Sequence, residues 1–330
     1  MGVYVHKLLK ENNSFLLLHS LYNKQNATMF ELVEDTHLSQ SSVRNLLRKF
    51  EQDRIVGSIG VEKSTGGRCP IRFSLIAQSF TVFCCYVHKG YLEYRVIQLY
   101  EMLDEGQIQY VNDQEMITQF LSLITRYSLQ CIVIAVEGIV SGQYYYTDHE
   151  NRYDVNVWIE DIQKQINIPI YVENDVKVMQ QGIYKENEEL KNFVFIYINH
   201  LGMASSTMRK GELLQGTKGI IGELGLIPFE NMTLNQAIRI CYTQERFYQL
   251  MIFILAIICT SLDPRKILIS CDLPYNIDID YLTQSLYSIV YQNYQIECRK
   301  EPIKILFDGL SYLGIMNLLK RRIGESYEKI

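Results

Sequence analysis

The stretch that decides the fold is Leu38-Ser39-Gln40-Ser41-Ser42-Val43-Arg44-Asn45-Leu46-Leu47-Arg48, followed further along by Thr65-Gly66-Gly67-Arg68-Cys69-Pro70. Ser39 is a good N-cap residue, so a helix is expected to begin directly after it. The helix would bury four apolar side chains that recur at the spacing of one helix face: Val43, Leu46, Leu47 and Phe50. This pattern predicts a short amphipathic helix with a polar outer face.

The same packing turns five polar side chains outward: Gln40, Ser41, Arg44, Asn45 and Arg48. Glutamine, asparagine and arginine carry the donors and acceptors that match base edges in the major groove of DNA. The face therefore predicts a recognition helix. We expect Gln40, Ser41, Arg44 and Asn45 to point toward bases and Arg48 toward the phosphate backbone.

The segments around this helix complete a DNA-binding module. Apolar residues from Phe15 to Tyr22 predict an earlier helix, and Thr28 with Glu31 forms a capping-box pattern for a second one. Two strand-like segments, 54–61 and 70–75, surround a polar tip that contains Lys63 and Arg68. A winged helix-turn-helix is thus expected over residues 1–76, with Lys63 and Arg68 reaching phosphates or the minor groove. The alternative is a three-helix domain whose polar face is only solvated.

Charge supports the same division of the chain. Residues 1–75 hold 10 Lys and Arg against 7 Asp and Glu, whereas the remaining residues hold 22 against 30, within a net charge of −5. Only the N-terminal part has the sign expected of a partner of the phosphate backbone.

From Phe80 onward, strand-like and helix-like segments alternate in two series, which is typical of an α/β fold. The pattern predicts two lobes on either side of a cleft, with a hinge to the first module near 76–79. The second series is expected to close with a strand at Ile303–Phe307 and a final helix.

Three turns in this region carry polar groups where a ligand could use them: Glu137-Gly138, Glu173-Asn174-Asp175 and Gly222-Glu223. Gly138 would allow close approach of the backbone, and the acceptors of Asn174, Asp175 and Glu223 suit a molecule rich in hydroxyl groups. The alternative is a helix-capping role for Asp175 and a solvated turn for Glu223.

Other features exclude several classes of protein. The eight cysteines have no Cys-x-x-Cys spacing, which argues against a metal site or a disulfide framework and for reduced thiols. No secretory signal is expected in Met1–Lys10, and the apolar segment Leu250–Cys259 is too short to cross a bilayer. A cytoplasmic protein without membrane partners, cofactors or bound metal is therefore expected.

The chain resembles the ROK family, which comprises sugar kinases and sugar-responsive repressors. The resemblance rests on the wing motif at 65–70, on 168–175, on 210–225 and on Leu262-Asp263-Pro264. It implies an actin-like (ribonuclease H-like) domain over 77–330 and self-association as a homodimer or homotetramer. Its lobes would span about 77–185 plus the C-terminal helix, and 186–305. Gly138, Asn174, Asp175 and Glu223 match the family's sugar contacts, and Asp175 matches the general base of the kinases.

Departures from the family pattern distinguish the repressor branch from the kinases. The two phosphate-binding loops of the kinases are replaced by 82–88 and 199–205, which carry bulky side chains and only one glycine. The family's zinc-binding histidine and cysteine cluster are replaced by Leu226 and 235–241.

Together these features predict a transcriptional repressor that reads a double-stranded, two-fold symmetric operator and releases it when a sugar or sugar phosphate closes the lobes. Two alternatives stay open. One is a divergent ATP-dependent sugar kinase, and the other is a regulator that has lost its small-molecule effector.

Overall fold

A computed structural model describes residues 2–61, 70–88, 90–141, 144–147, 153–154 and 156–328. The described chain forms an N-terminal helical module with a small antiparallel sheet, followed by two five-stranded mixed sheets flanked by helices. The α/β architecture expected from the alternating pattern is confirmed.

The N-terminal module contains α1 (Gly2–Lys24), β1 (Asn26–Thr28), α2 (Met29–Thr36), α3 (Gln40–Gln52), β2 (Val56–Val61) and β3 (Ile71–Leu75). The three strands pair in the order β1-β3-β2. Thr28 and Glu31 form the expected capping box at the start of α2, and the Ser39 side chain accepts the N–H of Ser42 at the start of α3. Local side-chain chemistry therefore sets where both helices begin.

The first lobe follows a short 3₁₀ turn at Ala77–Ser79. Its elements are β4 (Thr81–His88), β5 (Tyr91–Gln98), β6 (Glu101–Gln109), α4 (Asp113–Ile124), β7 (Cys131–Val136), β8 (Ile139–Ser141), β9 (Tyr144–Thr147), β10 (Tyr153–Asp154), α5 (Asn156–Gln163), β11 (Ile170–Asn174) and α6 (Asp175–Glu186). The main sheet has the order β11-β7-β4-β5-β6, with β11, β7 and β4 parallel. The carboxyl ends of β7 and β11 thus lie side by side.

The second lobe contains β12 (Phe193–Asn199), β13 (Gly202–Arg209), β14 (Glu212–Leu213), β15 (Pro228–Phe229), β16 (Met232–Thr233), α7 (Leu234–Arg239), α8 (Gln244–Leu262), β17 (Lys266–Cys271), α9 (Ile279–Val290) and β18 (Gln295–Cys298). Its main sheet has the order β14-β13-β12-β17-β18. A second 3₁₀ turn, Leu224–Leu226, lies between β14 and β15.

The prediction of a strand at Ile303–Phe307 is wrong. These residues form the first turns of α10 (Pro302–Glu328), and the last strand of the sheet is β18. A short apolar run fits a strand or a buried helix equally well, and here the run continues into Leu310 and Ile315, both fully buried. Pro302 at the first helical position also favours a helix start.

Two helices, α8 and the segment Pro302–Tyr327 of α10, are long and apolar enough to cross a membrane by length and composition alone. Core helices of globular proteins meet the same criterion. Here α8, which extends the apolar segment Leu250–Cys259 at both ends, buries Leu250, Ile254 and Ile258 in the core of the second lobe.

The N-terminal module and α10 share one hydrophobic core, which contains Leu17 and Leu21 of α1 together with Leu319 and Ile323 of α10. The ring of Tyr22 extends this contact, because it lies 5.6 Å from that of Tyr100 and 6.3 Å from that of Tyr312. The module is therefore packed against the first lobe by apolar side chains.

Helices α6 and α10 approach each other at their backbones. A Cβ on Gly309 would lie 1.9 Å from the carbonyl oxygen of Val178, and one on Gly182 would lie 2.2 Å from that of Ile305. Only glycine permits this separation.

We expect Gly309→Ala to destabilise the protein by about 2 kcal/mol or more, because two packed backbones must move apart. In Gly324→Ala, on the same helix, the new methyl group meets nothing within 4 Å. That control is expected to gain about 0.5–1 kcal/mol from helix propensity. Urea unfolding of both variants measures the difference, and equal stability of the two would contradict close packing of α6 on α10.

Candidate functional site

The predicted recognition helix is α3, and the polar side chains of its outer face are exposed. Val43, Leu47 and Phe50 are buried, Leu46 is half-buried, and five polar residues are exposed: Gln40, Ser41, Arg44, Asn45 and Arg48. Lys63 and Arg68 lie outside the described residues. The structure thus brings together five of the seven residues that the sequence assigned to DNA.

Arg44 and Arg48 form no ion pair with another described residue. Their guanidinium groups are therefore not neutralised by neighbouring carboxylates within the described chain. Such a face is suited to an anionic partner.

In the cleft, Asn174 links the ends of two neighbouring strands. Its Nδ2 donates to the carbonyl oxygen of Gly138 at 2.6 Å, and its Oδ1 accepts the N–H of Lys177 at 3.1 Å. Gly138 has φ 125°, a conformation that favours glycine. Asn174, rather than Asp175, is therefore the cap of α6, and its amide holds the loop after β7 in place.

Asp175 lies buried at the first position of α6, with 5% of its surface exposed. Its Oδ1 accepts the N–H of Val176 at 2.8 Å, and its Oδ2 lies 3.2 Å from the hydroxyl of Tyr86. Burial, with the nearby Glu137 carboxylate as a second cause, raises the pKa of Asp175 to about 8. The carboxyl is thus largely protonated at neutral pH.

Protonation of Asp175 explains the contacts of Tyr86, a site residue that sequence reasoning missed. The Tyr86 hydroxyl lies 3.1 Å from Glu137 Oε1 as well as 3.2 Å from Asp175. One hydroxyl hydrogen cannot serve two carboxylates. A neutral Asp175 resolves this, because it donates to the Tyr86 oxygen while Tyr86 donates to Glu137.

Aromatic rings occupy the end of β4, where the kinase pattern requires a glycine-rich loop. The His88 ring lies 4.3 Å from the ring of Tyr91 in a stacked arrangement and 4.0 Å from that of Tyr86. His88 Nδ1 faces Glu137 Oε1 at 3.4 Å. These rings fill space that close backbone approach to a phosphate would need.

The second replaced loop, between β12 and β13, has its amides occupied by the protein itself. Asn199 Oδ1 accepts the N–H groups of Leu201 and Gly202 at 2.9 and 3.2 Å. Asn235 Oδ1 accepts the N–H of Met203 at 2.9 Å. Three consecutive donors of the kind that cradle phosphate are therefore already used.

Glu223 enters the cleft from the second lobe on a tight turn. Gly222, at φ 97°, lies so close to β13 that a Cβ would meet the Ser205 carbonyl oxygen at 1.9 Å. Glu223 is half-buried rather than a solvated turn residue, and burial raises its pKa to about 7. Its charge also contributes to the raised pKa of Asp175, so the two carboxyl groups face the same space.

Lys177 is the counter-charge of this acidic cleft, and no sequence pattern pointed to it. Its side chain is 6% exposed, its Nζ lies 3.8 Å from Glu173 Oε1, and its charge opposes the rise in the pKa of Glu223. Carboxyl groups gathered from both lobes around one buried cation suit a neutral ligand whose hydroxyl groups can donate hydrogen bonds.

We expect the raised pKa of Asp175 to make stability depend on pH. The folded state holds the proton more tightly than the unfolded chain, so the free energy of unfolding falls as pH rises from about 4 toward 8. Between pH 5 and 8, wild type is expected to lose about 3–4 kcal/mol through this group, and Asp175→Asn should lose that much less.

Denaturation at several pH values tests this, with Asp280→Asn, an exposed residue of α9, as the control. Parallel pH profiles of wild type and Asp175→Asn would mean that Asp175 is ionised in the folded protein.

Comparison with known proteins agrees with this geometry. The sequence profile of the ROK family matches residues 109–242. The chain is 22% identical over 241 residues to the xylose repressor of Bacillus subtilis strain 168, and this alignment covers 68% of the chain but only 62% of that repressor's length. The xylose repressor of Bacillus spizizenii matches equally, also at 22% identity.

Solved structures extend the likeness to the N-terminal module. A ROK family transcriptional regulator, a homologue of the E. coli MLC protein, has a TM-score of 0.71 at 16% identity and covers 96% of this chain and 99% of its own. A ROK family protein from Streptococcus pneumoniae TIGR4 in complex with sucrose has a TM-score of 0.59 at 15% identity and covers 73% of this chain and 98% of its own. Residues 109–242 therefore match the ROK family profile, and the chain as a whole has the fold of a ROK-family transcriptional regulator.

Proposed function

We propose that the protein is a sequence-specific transcriptional repressor controlled by a sugar or sugar phosphate that binds between the lobes of its ROK-type domain. The observation that carries the proposal is an exposed polar face of α3 together with a cleft that holds buried carboxyl, hydroxyl and amide groups but has the amides of the loop after β12 already bonded. The xylose repressors and the regulator of the same fold support it.

In this proposal α3 lies in the major groove. Gln40, Ser41, Arg44 and Asn45 contact base edges, because their side chains are exposed on one face of α3 and carry the donors and acceptors that match those edges. Arg48, Lys63 and Arg68 hold the phosphate backbone or the minor groove.

The cleft binds its effector and catalyses no reaction of it. Sugar hydroxyl groups donate hydrogen bonds to Glu223, and one of them replaces the Tyr86 hydroxyl as the hydrogen-bond partner of Asp175. The backbone of the loop at Gly138, which Asn174 holds in place, also contacts the sugar. Phosphoryl transfer would need two phosphate-binding loops, and here one is filled by the rings of His88 and Tyr91 and the other has its amides bonded to Asn199 and Asn235. This arrangement favours binding over phosphoryl transfer.

A cytoplasmic homodimer or homotetramer would present two α3 helices to a two-fold symmetric operator. Closure of the lobes around a sugar would change the spacing of the paired modules and lower the affinity for DNA. By thermodynamic linkage, bound DNA would lower the affinity for the sugar by the same factor.

We expect Arg44→Ala to weaken operator binding by about 1–3 kcal/mol, since a side chain on a base edge is worth that much. Selection of genomic fragments at physiological salt supplies the operator, and titration at fixed salt measures the affinity. The control is Arg209→Ala, an exposed arginine of β13 in the second lobe. Equal affinity of both variants and wild type would show that α3 does not read DNA.

We expect at least one member of a panel of pentoses, hexoses and their phosphates to raise the melting temperature of wild type. Glu223→Ala should weaken that sugar about 10-fold or more, because a hydrogen bond to a carboxylate is lost. Glu212→Ala, exposed on β14, is the control.

If no sugar shifts the melting temperature, the protein is a regulator without a small-molecule effector. Sugar-dependent ADP formation that disappears in Asp175→Asn would instead identify a kinase.

A further inference from the structure

A second cavity lies away from the cleft, where the N-terminal module meets the first lobe. Its volume is about 610 Å³, within the range of small-molecule sites. The module contributes Tyr22, Asn23 and Gln25, and the first lobe contributes residues of β5, β6, the end of α6 and α10. We call it the module–lobe cavity.

The walls of the module–lobe cavity differ in polarity. The β5–β6 side is apolar and consists mainly of Ile97, Leu99 and Met102, whereas the α10 side carries Asp308 and Ser311. Met102 is 50% exposed, so this apolar surface is only partly covered by the protein. A ligand with one apolar side would bury that surface further.

Two of the four charged groups in the module–lobe cavity are already paired. Arg95 Nε lies 3.1 Å from Glu105 Oε2, and its guanidinium lies over the ring of Phe307 at 4.5 Å. Glu188 accepts from Asn23 at 3.1 Å and faces His19 at 3.3 Å.

The other two charged groups, Lys185 and Asp308, are half-buried and have no ion pair or hydrogen bond with a described residue. A ligand that pairs with either group would gain a charge-assisted hydrogen bond. The cavity therefore offers one free cation and one free anion opposite an apolar wall.

We propose that the module–lobe cavity binds a small amphiphilic molecule with one anionic group. Lys185 holds the anionic group, Asp308 accepts from a hydroxyl or amino group, and the apolar side packs on Ile97 and Leu99. The ligand contacts Asn23 and Gln25 at the same time, so it strengthens the packing of the module on the lobe. This site is separate from the sugar cleft.

The probe for this test is 8-anilinonaphthalene-1-sulfonate, a single anion on an apolar ring system whose fluorescence rises in apolar surroundings. The full-length protein is titrated without DNA or sugar, so the outcome does not depend on the proposed function. We expect saturable binding that Lys185→Gln weakens about 10-fold, because a charged hydrogen bond is lost. Asn23→Trp, which fills the mouth of the cavity, should weaken it at least as much.

Two controls place a substitution elsewhere, and the first repeats the charge change of Lys185→Gln. Lys191→Gln removes an exposed lysine outside the cavity, and Glu223→Gln alters the sugar cleft. Both should bind the probe like wild type. Unchanged binding in Lys185→Gln and Asn23→Trp would overturn the proposal, as would an equal loss in Glu223→Gln, which would place the probe in the cleft.

Discussion

The backbone contact between α6 and α10 is the constraint on which the other parts of the molecule depend. Helix α6 begins at Asp175, in the cleft, and α10 shares its apolar core with the N-terminal module. Gly182 and Gly309 let the two helices touch without intervening side chains. A displacement of one helix therefore moves the other, because no side chain between them can adjust to absorb it. The position of Asp175 and its neighbours at the start of α6 is thereby tied to the position of the module.

Desolvation determines what the cleft can do. An aspartate at this position resembles the general base of sugar kinases, yet burial and a second carboxylate keep its proton on at neutral pH. Tyr86 places its hydroxyl within hydrogen-bond distance of both carboxyl groups. The protonation state of an aspartate is thus set by its neighbours rather than by its residue type.

The sequence predicted the elements whose signals are local. The Ser39 cap, the buried face of α3 and the turn after β11 could be located because spacing and capping chemistry act within a few residues. Strand β6 was missed because most of its residues are exposed and polar, and its pairing with β5 relies on the backbone. Tyr86 was missed because its role depends on Asp175, which lies 89 residues away in the chain. A blocked loop after β12 was expected because of its bulky side chains. The structure adds that Asn199 and Asn235 accept hydrogen bonds from the backbone N–H groups of this loop.

The shared core of α1 and α10 has a mechanical consequence. With Leu21, Tyr22 and Leu319 packed in one cluster, the module and the first lobe form a single stiff arm, and a swing of α3 relative to its own lobe would expose that cluster to water. In the proposed regulator, movement that begins in the cleft would therefore carry α3 along as part of the whole arm. A long arm turns a small angle at its base into a large displacement at its tip.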